Sequence, residues 1–306
     1  MRSGENSILE PGDLWVHPDY EAAFSSLGWT STDILLHASL DGTLGRRRDY
    51  RLRRGWDNVK LEIPSTSSAT PRSFVFMKRH RTFWHWRDSA IHEAEAALRC
   101  QSASVPCMKV VACGIARHPI PDGQGRWYLS LFMSEPIGNG ISALAAIRQT
   151  LSRGEQGRQE LLKLMDAVAR TVAGMHSAHV YHGDCHLGNF MLADQDSGAP
   201  CVRIIDLQSS LLGPSPLAYR AWLRDMCLVR SWWIRLGVPL DDLNYWYERY
   251  NHWATGGHIQ QWMVHGGRQI IAVRGDLEIL RRGLSRFPRF QFARGCEILR
   301  ERYRAA

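Results

Sequence analysis

The sequence predicts an α+β fold in two lobes, a small antiparallel sheet within residues 1–136 and a mostly helical part over residues 137–306. Three observations carry that expectation. Phe74-Val75-Phe76-Met77-Lys78, Val110-Val111-Ala112 and Tyr128 to Met133 are short apolar runs of strand character, all in the first part. Between the first two, Ala90, Ala94, Ala97 and Leu98 share one helical face. In the second part Leu161, Leu162, Met165, Val168, Val172 and Met175 recur at helical spacing within Gln159 to Ala178, and a tryptophan-rich helical region follows Pro216.

Composition narrows the class. Hydrophobic content of 44% and charged content of 22% are those of an ordinary globular chain, and 306 residues suffice for a sizeable core. No run of eighteen apolar residues predicts a spanning helix. No basic segment followed by an apolar one opens the chain, so no secretory leader is expected. Seven cysteines without a C-x-x-C pair predict reduced thiols in a cytosolic setting. The net charge of +8 favours an anionic partner: phosphates, an anionic membrane surface or nucleic acid.

Residues 1 to 30 lack periodicity and read as a leader packed irregularly on the first lobe. Asp33 to Leu40 reads as a strand that turns through Asp41-Gly42-Thr43-Leu44-Gly45 and returns through Tyr50-Arg51-Leu52. The tip of that hairpin, with Gly45, is a candidate nucleotide cover. The glycines do not follow G-x-G-x-x-G, so a plain turn fits equally. Arg46, Arg47, Arg48, Arg51, Arg53 and Arg54 form the densest charge run, either a solvated edge strand or a docking surface for anionic lipid. Ser65 to Pro71 reads as a flexible connection.

Lys78 ends an apolar strand, where a phosphate clamp belongs. Alone it would be a solvated terminus. Glu93, beside the alanine face of the following helix, supplies the carboxylate that such a lysine needs, with Glu95 as rival. Phe83, Trp84 and Trp86 read as packing aromatics, with an interfacial anchor as the other reading. A turn at Pro119 to Gly125 precedes the strand ending at Met133-Ser134-Glu135-Pro136. There a hinge between lobes would fall, and backbone groups around Glu135 would meet an adenine edge.

The most informative stretch is Tyr181-His182-Gly183-Asp184-Cys185-His186-Leu187-Gly188-Asn189-Phe190. Its H-x-D-x-x-x-x-N spacing is a phosphoryl-transfer catalytic loop. Asp184 takes or orients the proton of an attacking hydroxyl. Asn189 and Asp206, the latter closing Val202-Arg203-Ile204-Ile205, hold the divalent metal that neutralises phosphates. The bland alternative is a turn with local capping bonds. The order of helix, loop, strand, turn, strand and aspartate argues against it.

Phe76-Met77-Lys78-Arg79-His80, the Glu93 helix, the Tyr181 to Phe190 loop and Ile204-Ile205-Asp206-Leu207-Gln208 together resemble the lipopolysaccharide kinase family, from about Ile34 to about Trp246. The resemblance implies a protein-kinase-like fold and transfer from ATP, with Mg2+, to a sugar hydroxyl (heptose or Kdo) of lipopolysaccharide. It also implies work at the cytoplasmic face of the inner membrane. By position it assigns Lys78 to the phosphates, Glu93 to Lys78, Asp184 to the base, and Asn189 and Asp206 to magnesium. Asp225 resembles the buried aspartate that braces the loop from a following helix. The loop itself is closer to that of aminoglycoside and choline kinases, and Leu-Gln rather than Phe-Gly follows Asp206. A small-molecule kinase of that type and a nucleotide-binding pseudokinase scaffold are therefore the alternatives. The net charge disfavours cationic substrates, and nucleic acid is not an expected partner. Oligomeric state is open.

Overall fold

The computed structural model describes residues 9–40, 49–53, 56–64, 72–82, 88–121, 126–193, 199–213 and 218–254. Gly45, Arg46 to Arg48, Arg54, Ser65 to Pro71, Phe83, Trp84, Trp86, Pro214, Pro216 and the arginines beyond residue 254 lie outside the described residues. The chain divides into two compact units, Met1–Leu98 with Met108–Pro136, and Arg99–Cys107 with Ile137–Ala306.

In the first unit the order is β1 (Leu14–Val16), α1 (Glu21–Ser26), α2 (Thr32–Leu40), β2 (Asp49–Arg53), β3 (Trp56–Pro64), β4 (Arg72–Thr82), α3 (Ser89–Ser102, within this unit to Leu98), β5 (Val110–Ile115), β6 (Ile120–Pro121) and β7 (Arg126–Ser134). The sheet runs β1-β5-β7-β4-β3-β2 with every neighbouring pair antiparallel, and β6 pairs the start of β7.

Period-two alternation in β4 decides what each face carries. Val75 and Met77 are fully buried in a core with Leu35, Leu36, Leu131 and Met133. On the same face the Arg79 guanidinium donates to the carbonyl and hydroxyl of Ser39 in α2. Phe76, Lys78 and His80 take the other face, and it is there that Lys78 reaches α3. One helix thus lies on each side of β4.

Three sequence expectations change here. Asp33 to Leu40 is helical and not a strand: Leu35, Leu36 and Ser39 bury one helical face, and the Ser31 hydroxyl accepts from the Ile34 amide at the entry. A short apolar run suits either period, and tertiary burial chose 3.6. The irregular leader is an integral part of the unit, because β1 forms the edge of the sheet against β5 while Tyr20, Phe24 and Trp29 enter the core. Lys78 stands inside β4, paired with Asn58 and Phe132, not at a strand end.

The second unit contains α4 (Ala143–Leu151), α5 (Arg158–Ser177), β8 (Val180–Tyr181), β9 (Phe190–Ala193), β10 (Cys201–Ile204), β11 (Leu211–Leu212), α6 (Ala218–Leu236) and α7 (Leu240–Trp253). α5 buries Leu161, Leu164, Met165, Val168, Val172 and Met175, so Leu164 takes the place the spacing gave to Leu162. Trp222, Trp233, Trp246 and Tyr250 of α6 and α7 are fully buried, which makes the tryptophan-rich region core. Two short antiparallel pairs, β9 with β10 and β8 with β11, frame the loop between β8 and β9. No described helix is long and apolar enough to cross a membrane.

Candidate active site

In the first unit Lys78 Nζ lies 2.9 and 3.1 Å from the two carboxylate oxygens of Glu93. Glu93 is 1% exposed and Lys78 13%, so the pair is largely withdrawn from solvent and its geometry is tight. Helical spacing produces this. Glu93 sits three residues after buried Ala90 and beside buried Ala94, while Glu95 two residues on is exposed. His80, two residues along β4 and so on the same face as Lys78, places Nε2 3.8 Å from Glu93. Asp88 starts the helix by accepting from the amides of Ala90 (2.8 Å) and Ile91 (3.1 Å).

The Glu135 side chain is engaged within the first unit. Its carboxylate accepts from the Tyr20 hydroxyl at 2.6 Å and pairs with Lys109 at 2.8 Å, and its amide donates to the Lys109 carbonyl. Lys109 also reaches Asp19 at 2.8 Å. Burial and the Glu135 carboxylate push the Tyr20 phenol above its ordinary range. Burial would lower the Lys109 ammonium, but the hydrogen bonds it donates to Asp19 and Glu135 hold it above its usual value. The first helical turns are latched in this way to the end of β7.

In the second unit the loop after β8 is held by its backbone. Asp225 of α6, with no exposed surface, accepts from the amides of His182 (2.6 Å) and Gly183 (2.8 Å). Gly183 has φ +76°, and a Cβ there would stand 2.4 Å from the Ser209 carbonyl oxygen. Only glycine satisfies both conditions. His182 accepts from the Asp184 amide at Nδ1 (3.3 Å) and therefore donates from Nε2 to the Ile205 carbonyl (3.0 Å), one residue before Asp206.

Asn189 is oriented in the same manner. Its side-chain nitrogen donates to the Asp184 carbonyl at 3.0 Å, which leaves the amide oxygen as an acceptor. Its own carbonyl accepts from Ile205, which ties it to the end of β10. Asp206 adopts a left-handed conformation, φ +63° and ψ +51°, rare for a residue with a side chain but most tolerated in Asp and Asn. The Asp184 side chain is 44% exposed, in contrast to fully buried Asp225. One carboxylate is built into the structure and the other presented to solvent.

Residues 79–213 match the model of the lipopolysaccharide kinase (Kdo/WaaP) family, a span that begins one residue after Lys78 and holds Glu93, Asp184, Asn189 and Asp206. Over that span the chain is similar to the lipopolysaccharide kinase family. The solved structure of WaaP in complex with acyl carrier protein aligns with a TM-score of 0.59 and 19% identity, covering 84% of this chain and 98% of that one. That likeness shows the fold, which is α+β and protein-kinase-like. The BubR1 kinase domain gives a TM-score of 0.36 and 13% identity over 64% of this chain and 61% of that one. No curated protein matches the chain. The match supports a kinase, a phosphotransferase, and a kinase family implies ATP.

Several residues of this candidate site carry no local sequence signal. His176 of α5 lies 3.3 Å from Asp225 and 2.8 Å from the Tyr250 hydroxyl, which accepts from Trp222 at 2.9 Å. This buried chain supports Asp225 from behind, across 49 and 74 residues of sequence. Cys185, next to Asp184, is fully buried, and burial pushes its thiol well above the ordinary range, so it packs and does not act as a nucleophile.

Proposed function

We propose that this kinase phosphorylates a sugar hydroxyl, heptose or Kdo, of the lipopolysaccharide core at the inner surface of the cytoplasmic membrane. The observation that carries the reading is the loop geometry: Asp184 half exposed, with Asn189 and the segment entering Asp206 tied to it through backbone bonds. In this reading Asp184 accepts or orients the proton of the acceptor hydroxyl, and Lys78, held by Glu93, contacts the nucleotide phosphates.

The donor set fits Mg2+. Asn189 keeps its amide oxygen free of the Asp184 carbonyl contact, and Asp206 offers a carboxylate, two hard oxygen donors of the kind Mg2+ takes together with phosphate oxygens and water. When bound, the metal would neutralise phosphate charge. Orientation of the acceptor and removal of its proton fall to the loop.

The net charge of +8 supports an acceptor already bearing phosphates and carboxylates, and a peripheral position on anionic lipid. Because WaaP is described with acyl carrier protein, such a carrier is a candidate partner here as well.

The test is mass spectrometry of lipopolysaccharide from cells with and without the gene, complemented by wild type or Asp184→Asn. The expected result is loss of one phosphate in the deletion, restored only by wild type. Purified Asp184→Asn should lose about 10²–10⁴ in kcat while ATP affinity stays within a few fold. Unchanged lipopolysaccharide together with efficient phosphorylation of a soluble aminoglycoside would replace the glycolipid reading.

A further inference from the structure

The loop contains a second histidine that neither the H-x-D-x-x-x-x-N spacing nor the metal set uses. His186 and His182 share one local geometry. Each accepts, at Nδ1, the amide two residues ahead: Asp184 at 3.3 Å for His182, Gly188 at 3.1 Å for His186. An Nδ1 that accepts leaves the proton on Nε2. In His182 that N–H goes to the Ile205 carbonyl. In His186 it faces the Asp184 carboxylate, with Nε2 3.8 Å from Oδ2.

The ring is seated from two sides. Below it is Gly188, where a Cβ would stand 2.9 Å from Cε1 and 3.0 Å from Nδ1 of His186, so a side chain at 188 would displace the imidazole. Beside it lies Trp232 of α6, ring centroids 5.7 Å apart at 39°. Trp232 is in turn covered by the Arg235 guanidinium, 5.4 Å from its centroid.

We infer that His186 is a positioning residue: its Nε2–H, held by the Gly188 amide and the Trp232 face, steers one oxygen of Asp184 so that the other meets the acceptor hydroxyl. The 3.8 Å separation is beyond a hydrogen bond and within one small rotation of the exposed Asp184 side chain. The neutral Nε2–H offers a dipole and no full charge, so Asp184 stays a competent base.

This inference rests on the reading of Asp184 as the base, and the experiment separates the two. Steady-state kinetics with ATP and lipopolysaccharide core are measured for His186→Phe, His186→Gln, Gly188→Ala and Asp184→Asn, each checked by thermal unfolding. Phe keeps the ring against Trp232 but has no donor; Gln keeps a donor near the Nε2 position. Misplacing a reacting group by about 1 Å costs roughly 10²-fold. His186→Phe is therefore expected to lose about that in kcat with KM for ATP unchanged, His186→Gln to recover to within about tenfold of wild type, and Gly188→Ala to follow Phe. Wild-type kcat in His186→Phe, with Asp184→Asn inactive, overturns the inference and leaves Asp184 in place. An active Asp184→Asn overturns the base and this inference with it. Loss in Phe and Gln alike, with both folded, shows that a donor near the Nε2 position does not restore turnover and overturns the donor role.

Discussion

Two buried carboxylates, Glu93 in the first unit and Asp225 in the second, hold their surroundings by different means. Glu93 is bound by a side chain, Lys78 at 2.9 Å, with His80 3.8 Å away. Asp225 is bound by two consecutive backbone amides, with His176 behind it. A side-chain pair is adjustable, since Lys78 has four rotatable bonds and can exchange a carboxylate for a phosphate. A backbone brace is not adjustable. It sets φ and ψ of the loop directly and passes that rigidity to Asp184. Under the proposed function, the difference suits a nucleotide contact that responds to its ligand and a catalytic loop that is preorganised.

The sharpest way to break this comparison is Asp225→Ala. Two buried amides would lose their acceptor, at about 1–3 kcal/mol each, so unfolding free energy should fall by roughly 2–5 kcal/mol and turnover with it. Chemical denaturation measures the first and steady-state kinetics the second. A variant as stable as wild type would show that the loop holds its shape without the brace.

The Lys78–Glu93 pair should show a smaller effect, confined more to nucleotide use. Each single alanine variant should lower kcat/KM for ATP, and the double variant should lose less than the sum, with a coupling of about 0.5–3 kcal/mol. Full additivity in the cycle would mean that the 2.9 Å contact carries no function.

Smallest is the Asp19–Lys109–Glu135 latch. The Lys109 ammonium holds the exposed Asp19 carboxyl below its ordinary 3.8. A depressed carboxyl contributes stability above its unfolded value and loses it as pH falls through the folded one. Thermal stability measured from about pH 5 down to pH 2 should therefore fall slightly faster in wild type than in Asp19→Asn. Lys109 is raised, so its share persists at neutral pH and is lost only in strong alkali. Parallel acid profiles would remove the latch from the stability of this unit.

Much of the site was legible because phosphoryl transfer demands residue types at short spacings. Asp184 and Asn189 lie five residues apart in one loop, Glu93 one helix from Lys78, and Asp206 at the end of the next hairpin. Asp225 was legible as a following-helix brace. Less legible was whatever depends on distant chain. Asp33 to Leu40 has a pattern that serves either period, and only packing against Val75 and Met77 made it α2. The partners of the Glu135 side chain, Tyr20 115 residues earlier and Lys109, likewise left no local signal.

The residue types of the loop, their spacing and the family they resemble were set by the sequence alone, because such chemistry tolerates few substitutes over a short stretch. The tertiary structure decided which carboxylate is buried and which is offered. Asp184 and Asp225 are the same residue type with opposite exposure, and nothing local to either one distinguishes them. The distinction arises where α6 lays Asp225 under two amides and sets Trp232 beside His186, contacts made across 43 and 46 residues of sequence that no short window contains.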